Sequence, residues 1–197
     1  MFESYSIDQD LKEVQALVDA LVPYVYQNQL YGNAGGGYFS RLPALTVGGI
    51  LLRLQRLDTL QSDMTDKQRA SFDATIQKHA ETAKEWRTHY EGKMLREANS
   101  RLDAMRMYFK ECASNMKLCA NQYLPEALRR TTVQAILNEL DNWGIEDTDL
   151  MTKVRARDAE LRRYIQPSDF VWSPSLESVY DSKIYWWLYN RPVAPEK

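Results

Sequence analysis

Apolar positions recur along most of this chain at alternating intervals of three and four residues, which predicts helices packed along one stripe. The longest such run lies in the middle. Phe72, Ile76, His79, Ala83, Trp86 and Tyr90 form one seam, and Ala98, Leu102, Met105, Phe109, Cys112, Met116, Cys119 and Tyr123 form the next. Between them Tyr90, Met94, Ala98 and Leu102 are spaced by four, a one-residue stutter with Gly92 inside it. No proline occurs between Pro43 and Pro125. The pattern therefore predicts one central helix over about residues 65–124, roughly 85 Å long, with a bend at Gly92 as the alternative. Thr65-Asp66-Lys67-Gln68 has the form of a capping box that opens this helix, and Pro125 is expected to end it.

On the N-terminal side, Ser6 to Gln9 fits another capping box, followed by Leu11, Val14, Leu17, Val18, Leu21 and Val25. Pro23 should kink that helix, and Gly32-Asn33 should end it. A second helix is expected from about Pro43 to Ser62. Gly48 and Gly49 lie inside it, where they invite a close neighbour. Beyond Pro125 a fourth helix should stop at Gly144, followed by Ile145, in a Schellman turn. A fifth should run from Thr148 towards Pro167. The expected fold is all-α: an elongated bundle of about five helices organised on one long central helix. It is read as a single helical domain over residues 1–197, made of a hairpin (1–63), the central helix (64–124), a second hairpin (125–166) and a C-terminal strap (167–197).

The strap is distinct. Phe170, Trp172, Tyr180, Tyr185, Trp186, Trp187 and Tyr189 fall in a largely irregular, proline-punctuated segment. So much aromatic surface must be covered, either by folding back on the helices or by a partner docking on residues such as Trp172, Trp186 and Trp187.

Composition adds few constraints. A net charge of −2 gives no bulk field for nucleic acid or an anionic membrane. The apolar run Leu42 to Leu52 is too short to span a bilayer, and the N-terminus lacks the pattern of a signal peptide. Cys112 and Cys119 would lie about 10 Å apart on one helix, too far for a disulfide. They are expected to be reduced, buried thiols, which suits a cytoplasmic location.

Chemistry is sparse. The two histidines, His79 and His89, lack the Glu-x-x-His spacing of a di-iron bundle, and His79, on the seam, reads as a packed or hydrogen-bonded core residue. No nucleophile motif, zinc spacing or phosphate loop is found, so no catalytic residue, metal or cofactor is assigned. The charges around Lys93, Arg96, Glu97 and Arg101 read as a solvated helix face. From Ala20 through Leu52, however, the only formal charge is Arg41. Tyr31, Asn33, Tyr38 and Arg41, around a glycine-rich loop, mark this corner as a candidate ligand or partner surface.

The leading functional expectation is a non-enzymatic interaction or scaffold protein that meets a protein partner or self-associates. The alternative is a small-molecule-binding or enzymatic domain built on residues 30–41.

Overall fold

Ser6 starts the first helix, its hydroxyl accepting from the Gln9 amide at 3.3 Å, but the expected box is half made, because the Gln9 side chain donates to Glu13 at 2.6 Å. The computed structural model describes residues 5–35 and 42–193. Tyr38 and Arg41 of the uncharged corner lie outside the described residues. Among the described residues the fold is all-α apart from one two-stranded sheet. It divides into two units, Ser6–Glu97 on one hand and Tyr5 with the chain from Ala98 onward on the other.

The Ser6–Glu97 unit comprises α1 (Ile7–Asp19), α2 (Leu21–Tyr26), α3 (Val47–Thr59), a 3-10 turn at Gln61–Asp63, α4 (Asp66–Glu85) and the start of α5 (Arg87–Ser114). Helix α1 packs on α3 and α4, burying Leu11, Val14, Leu17 and Val18 against Ile50, Leu57 and Phe72. Arg53 and Arg56 of α3 meet the buried Asp10 of α1 at 3.6 and 3.5 Å. The Arg53 Nε also donates to Glu13 at 2.8 Å. α3 starts later than expected because Thr46, not a residue beside Pro43, is the N-cap, accepting from the Gly49 amide at 3.0 Å. A Cβ at Gly49 would come within 2.9 Å of that hydroxyl, so the glycine makes room for the cap. The Thr65–Gln68 capping box is present in full.

The expected single helix over 65–124 is divided into α4, α5, α6 (Met116–Asn121) and the first turn of α7 (Tyr123–Asn142). At Trp86 the interruption is slight, since Trp86 N donates to Thr82 O and Tyr90 N to Trp86 O. Gly92 lies inside α5 and ends no helix. Pro125 does not end a helix: it is the third residue of α7, as Pro23 is of α2. In a first turn the amide is an orphan donor anyway, so each helix restarts just ahead of its proline.

The second unit contains the remainder of α5, then α6, α7 and α8 (Thr148–Leu161). α7 ends in the expected Schellman turn: Gly144 has φ +66°, Ile145 N donates to Leu140 O at 2.8 Å and Gly144 N to Asp141 O at 2.9 Å. Asp147 rather than Thr148 caps α8, accepting from Leu150 N at 2.8 Å. Ile165, expected in the fifth helix, belongs instead to β1 (Ile165–Pro167), which pairs antiparallel with β2 (Asn190–Pro192). Between these strands the aromatic segment folds back onto the helices through 3-10 turns at Pro174–Val179 and Trp186–Tyr189. Trp187 is fully buried, its indole N–H donating to Thr131 Oγ1 at 2.9 Å and its carbonyl accepting from Tyr123 OH at 2.5 Å. Burial, with Tyr108 as a lesser cause, pushes the Tyr123 phenol pKa up, so this hydroxyl remains a donor.

The cysteines depart from expectation. Cys112 and Cys119 form a disulfide, with their Cα atoms 4.9 Å apart. The physical reason is the interruption at Asn115, whose φ of −149° and ψ of 86° turn the chain out of the α5 helix. The pair is not two reduced thiols.

Candidate functional site: a cleft between α7 and α8

The Schellman turn reverses the chain in few residues, so α7 and α8 run side by side. Between them lies a cleft of about 590 Å³. Leu140, Leu150 and Val154 are buried at its floor, and Leu137, Ile145 and Met151 line its walls, Met151 being 38% exposed. At one end Arg130 of α7 holds Asp158 of α8 through two bonds, Nε to Oδ1 at 2.7 Å and a terminal nitrogen to Oδ2 at 3.0 Å. Arg130 also donates to Gln134 at 3.2 Å, and its guanidinium lies 4.0 Å from the centre of the Trp187 ring. Only 4% exposed, Arg130 is a fixed strut rather than a free anion receptor. At the other end, exposed Asp141 and Glu146 flank the C-terminus of α7, where the helix dipole is also negative. The cleft thus offers an apolar trough with an acidic end, and Arg155 stands on its α8 side. Nothing in this set of side chains pairs a nucleophile with a base.

The residues singled out from sequence are placed differently. Tyr31 is 49% exposed. Asn33 turns its side chain inward on its own loop, accepting from Gly35 N at 3.1 Å, and Gly32 pairs with Leu45 through two backbone bonds of 2.9 Å. The uncharged run is answered by charges from α5, which sequence reasoning had placed on a solvated face. Lys93, fully buried, donates to the carbonyls of Gln27 at 2.7 Å and Gln29 at 2.5 Å and sits 3.8 Å from the centre of the Tyr24 ring. Arg96 donates to Asn28 O at 3.4 Å, and Glu97, also fully buried, accepts from Gly48 N at 2.7 Å. Gly48 thus meets a carboxylate. Burial, and then the neighbouring Arg96 charge, lowers the Lys93 pKa. Lys93→Met should cost about 2 kcal/mol in a thermal unfolding experiment, since two carbonyls lose a charged donor but lie on exposed residues that water can reach. A loss below about 0.5 kcal/mol would show that the ammonium does not hold this corner together.

In the aromatic segment Trp187 is interior, while Trp172 and Trp186 are half-buried. Arg162 lies 3.7 Å over the Trp186 ring, and Trp172 packs edge-on against Tyr180 at 5.2 Å. Arg157 pairs with Glu160 at 2.8 Å. Among the described residues no group of three or more His, Cys, Asp or Glu could hold a metal ion, and no helix is long and apolar enough to cross a membrane. The cleft was not found from sequence: Leu137 and Met151 carry the same inward periodicity as residues that are fully packed, and Asp141 reads as ordinary helix-end chemistry. Compared with known protein families, curated proteins and solved structures, the chain matches none.

Proposed function

We propose that the protein is a non-enzymatic interaction protein whose α7–α8 cleft receives an apolar, positively charged segment of a partner protein. The observation that carries this reading is the trough itself: half-open apolar walls at Leu137, Ile145 and Met151 ending at Asp141 and Glu146. An amphipathic helix with two or three apolar anchors fits such a groove, and basic residues beside the anchors would complement its acidic end. The bidentate Arg130–Asp158 pair gives the groove a fixed end wall, so little ordering cost accompanies binding there. The expectation of a cytoplasmic location stays a proposal. Its first support, free thiols, is removed by the Cys112–Cys119 bond, which fits an oxidising compartment or a pair that is oxidised and reduced in turn.

The test uses a short amphipathic helical peptide of leucine and lysine, with a leucine–glutamate peptide as its counterpart, in calorimetric titrations. The lysine peptide should bind and the glutamate peptide should bind at least about tenfold more weakly. Met151→Ser should weaken lysine-peptide binding about tenfold or more while changing stability by under about 1 kcal/mol, because it removes an apolar anchor without adding charge and the side chain is already partly exposed. No binding of the lysine peptide, or equal binding by Met151→Ser, would remove the cleft as the interaction site.

A further inference from the structure

The apolar seam of α5 does not stop where α5 stops. Met105, Phe109 and Cys112 continue in the same three-and-four spacing through Met116, Cys119 and Tyr123, and no proline or glycine stands between Phe109 and Leu124. Asn115 is the single residue between α5 and α6. Hydrogen bonds of α-helical reach lie on both sides of it, Asn115 N to Glu111 O at 2.9 Å and Cys119 N to Asn115 O at 3.1 Å. The interruption brings the Cys112 and Cys119 Cα atoms to 4.9 Å, whereas one unbroken helix would hold them about 10 Å apart. A disulfide cannot span that distance. The bond and the unbroken helix therefore exclude each other.

We propose that Cys112 and Cys119 form a redox-sensitive switch: with the disulfide closed α5 and α6 are separate helices, and with it open they merge into one. The chemistry is thiol–disulfide exchange with a dithiol reductant. One thiolate of the dithiol attacks a sulfur of the pair, the S–S bond breaks and a mixed disulfide forms. The second thiol then displaces the protein sulfur, leaving two protein thiols and the reductant as its own disulfide, two electrons and two protons having moved. Both cysteines are 1% exposed, so exchange requires α6 to open locally. α6 is suited to that, being six residues long with Cys119 its single buried side chain. Merging gives the amides of Met116, Lys117 and Leu118 carbonyl partners one turn back; at present Leu118 N relies on Asn115 Oδ1 at 3.0 Å. It also dissolves contacts of the oxidised form: Tyr108 OH donates to Cys119 O at 2.7 Å and lies 3.1 Å from Cys119 Sγ, and α6 packs on β2. Reduction would thus uncover one edge of the aromatic C-terminal segment. By linkage, whatever binds that uncovered edge favours the reduced pair.

Amide hydrogen exchange on the full chain tests this, before and after reduction with dithiothreitol. Exchange at Met116 and Lys117 should slow by about tenfold or more on reduction, while β1–β2 amides stay protected. The Cys112→Ser/Cys119→Ser chain should show the same slowing with no reductant; if it fails to fold, the reduced wild-type chain alone decides. Unchanged or faster exchange at these amides on reduction would mean that the disulfide is a staple and overturn the switch. Two free thiols in the denatured, unreduced protein would overturn it as well.

Discussion

Trp187→Ala is expected to destabilise the unit containing α7 and α8 by about 3–5 kcal/mol, the largest effect of any single substitution considered. The indole is fully buried, with the rings of Tyr185 and Trp186 each 5.5 Å away. Alanine removes three things together: the apolar area, the N–H bond to Thr131, and the face on which Arg130 rests. Thr131 keeps its own donation to Ala127 O at 2.8 Å, and Arg130 keeps Asp158, so the deficit is chiefly the cavity. Trp187→Phe separates the contributions, retaining a ring but no N–H, and should cost roughly 1–2 kcal/mol. Urea unfolding followed by far-ultraviolet circular dichroism measures both. A loss under about 1 kcal/mol for the alanine variant would mean that this indole does not close the core.

Acid should destabilise the other unit through one side chain. His79 is buried with its Nε2 2.6 Å from Tyr90 OH, and burial lowers its pKa from 6.5 to about 4. Above pH 6.5 neither state carries the proton and stability from this group is flat. As pH falls from about 6.5 to about 4, the unfolded chain takes up a proton that the folded chain refuses, so stability drops by up to about 3 kcal/mol. Below pH 4 the loss levels off. Stability against pH should be compared for wild type and His79→Gln, because carboxylate titrations are shared and cancel in the difference. Parallel curves between pH 6.5 and 4 would show that His79 titrates normally in the folded chain.

What could be read from sequence was chemistry confined to neighbouring turns. Thr65 with Gln68, Ser6 with the Gln9 amide, and Gly144 with Ile145 each act within a few residues, and each sets a helix terminus, although the Gln9 side chain turns to Glu13. His79 was legible too, because its place in a three-and-four seam fixes its burial. The divisions of the long helix were not. Trp86 and Asn115 are compatible with a helix interior, and the break at Asn115 coincides with a bond to a residue seven positions away. Lys93 and Glu97 were misread for a similar reason: on their own helix they look solvated, and only the charge-free run of Ala20 to Leu52 hinted that its carbonyls and amides must find charges elsewhere. β1 and β2, three residues each, are too short to leave an alternating pattern. The α7–α8 cleft is space left between helices, which periodicity along one helix cannot report.

The distribution of indoles has a practical corollary. Of the five tryptophans, Trp86 is the single one within Ser6–Glu97, while Trp143, Trp172, Trp186 and Trp187 belong to the other unit. Trp86 is half-buried, edge-on to Tyr26 at 4.7 Å and near His89 at 6.4 Å. Its emission is therefore a built-in dye for one unit, and Trp86→Phe leaves a chain whose tryptophan fluorescence comes wholly from the other.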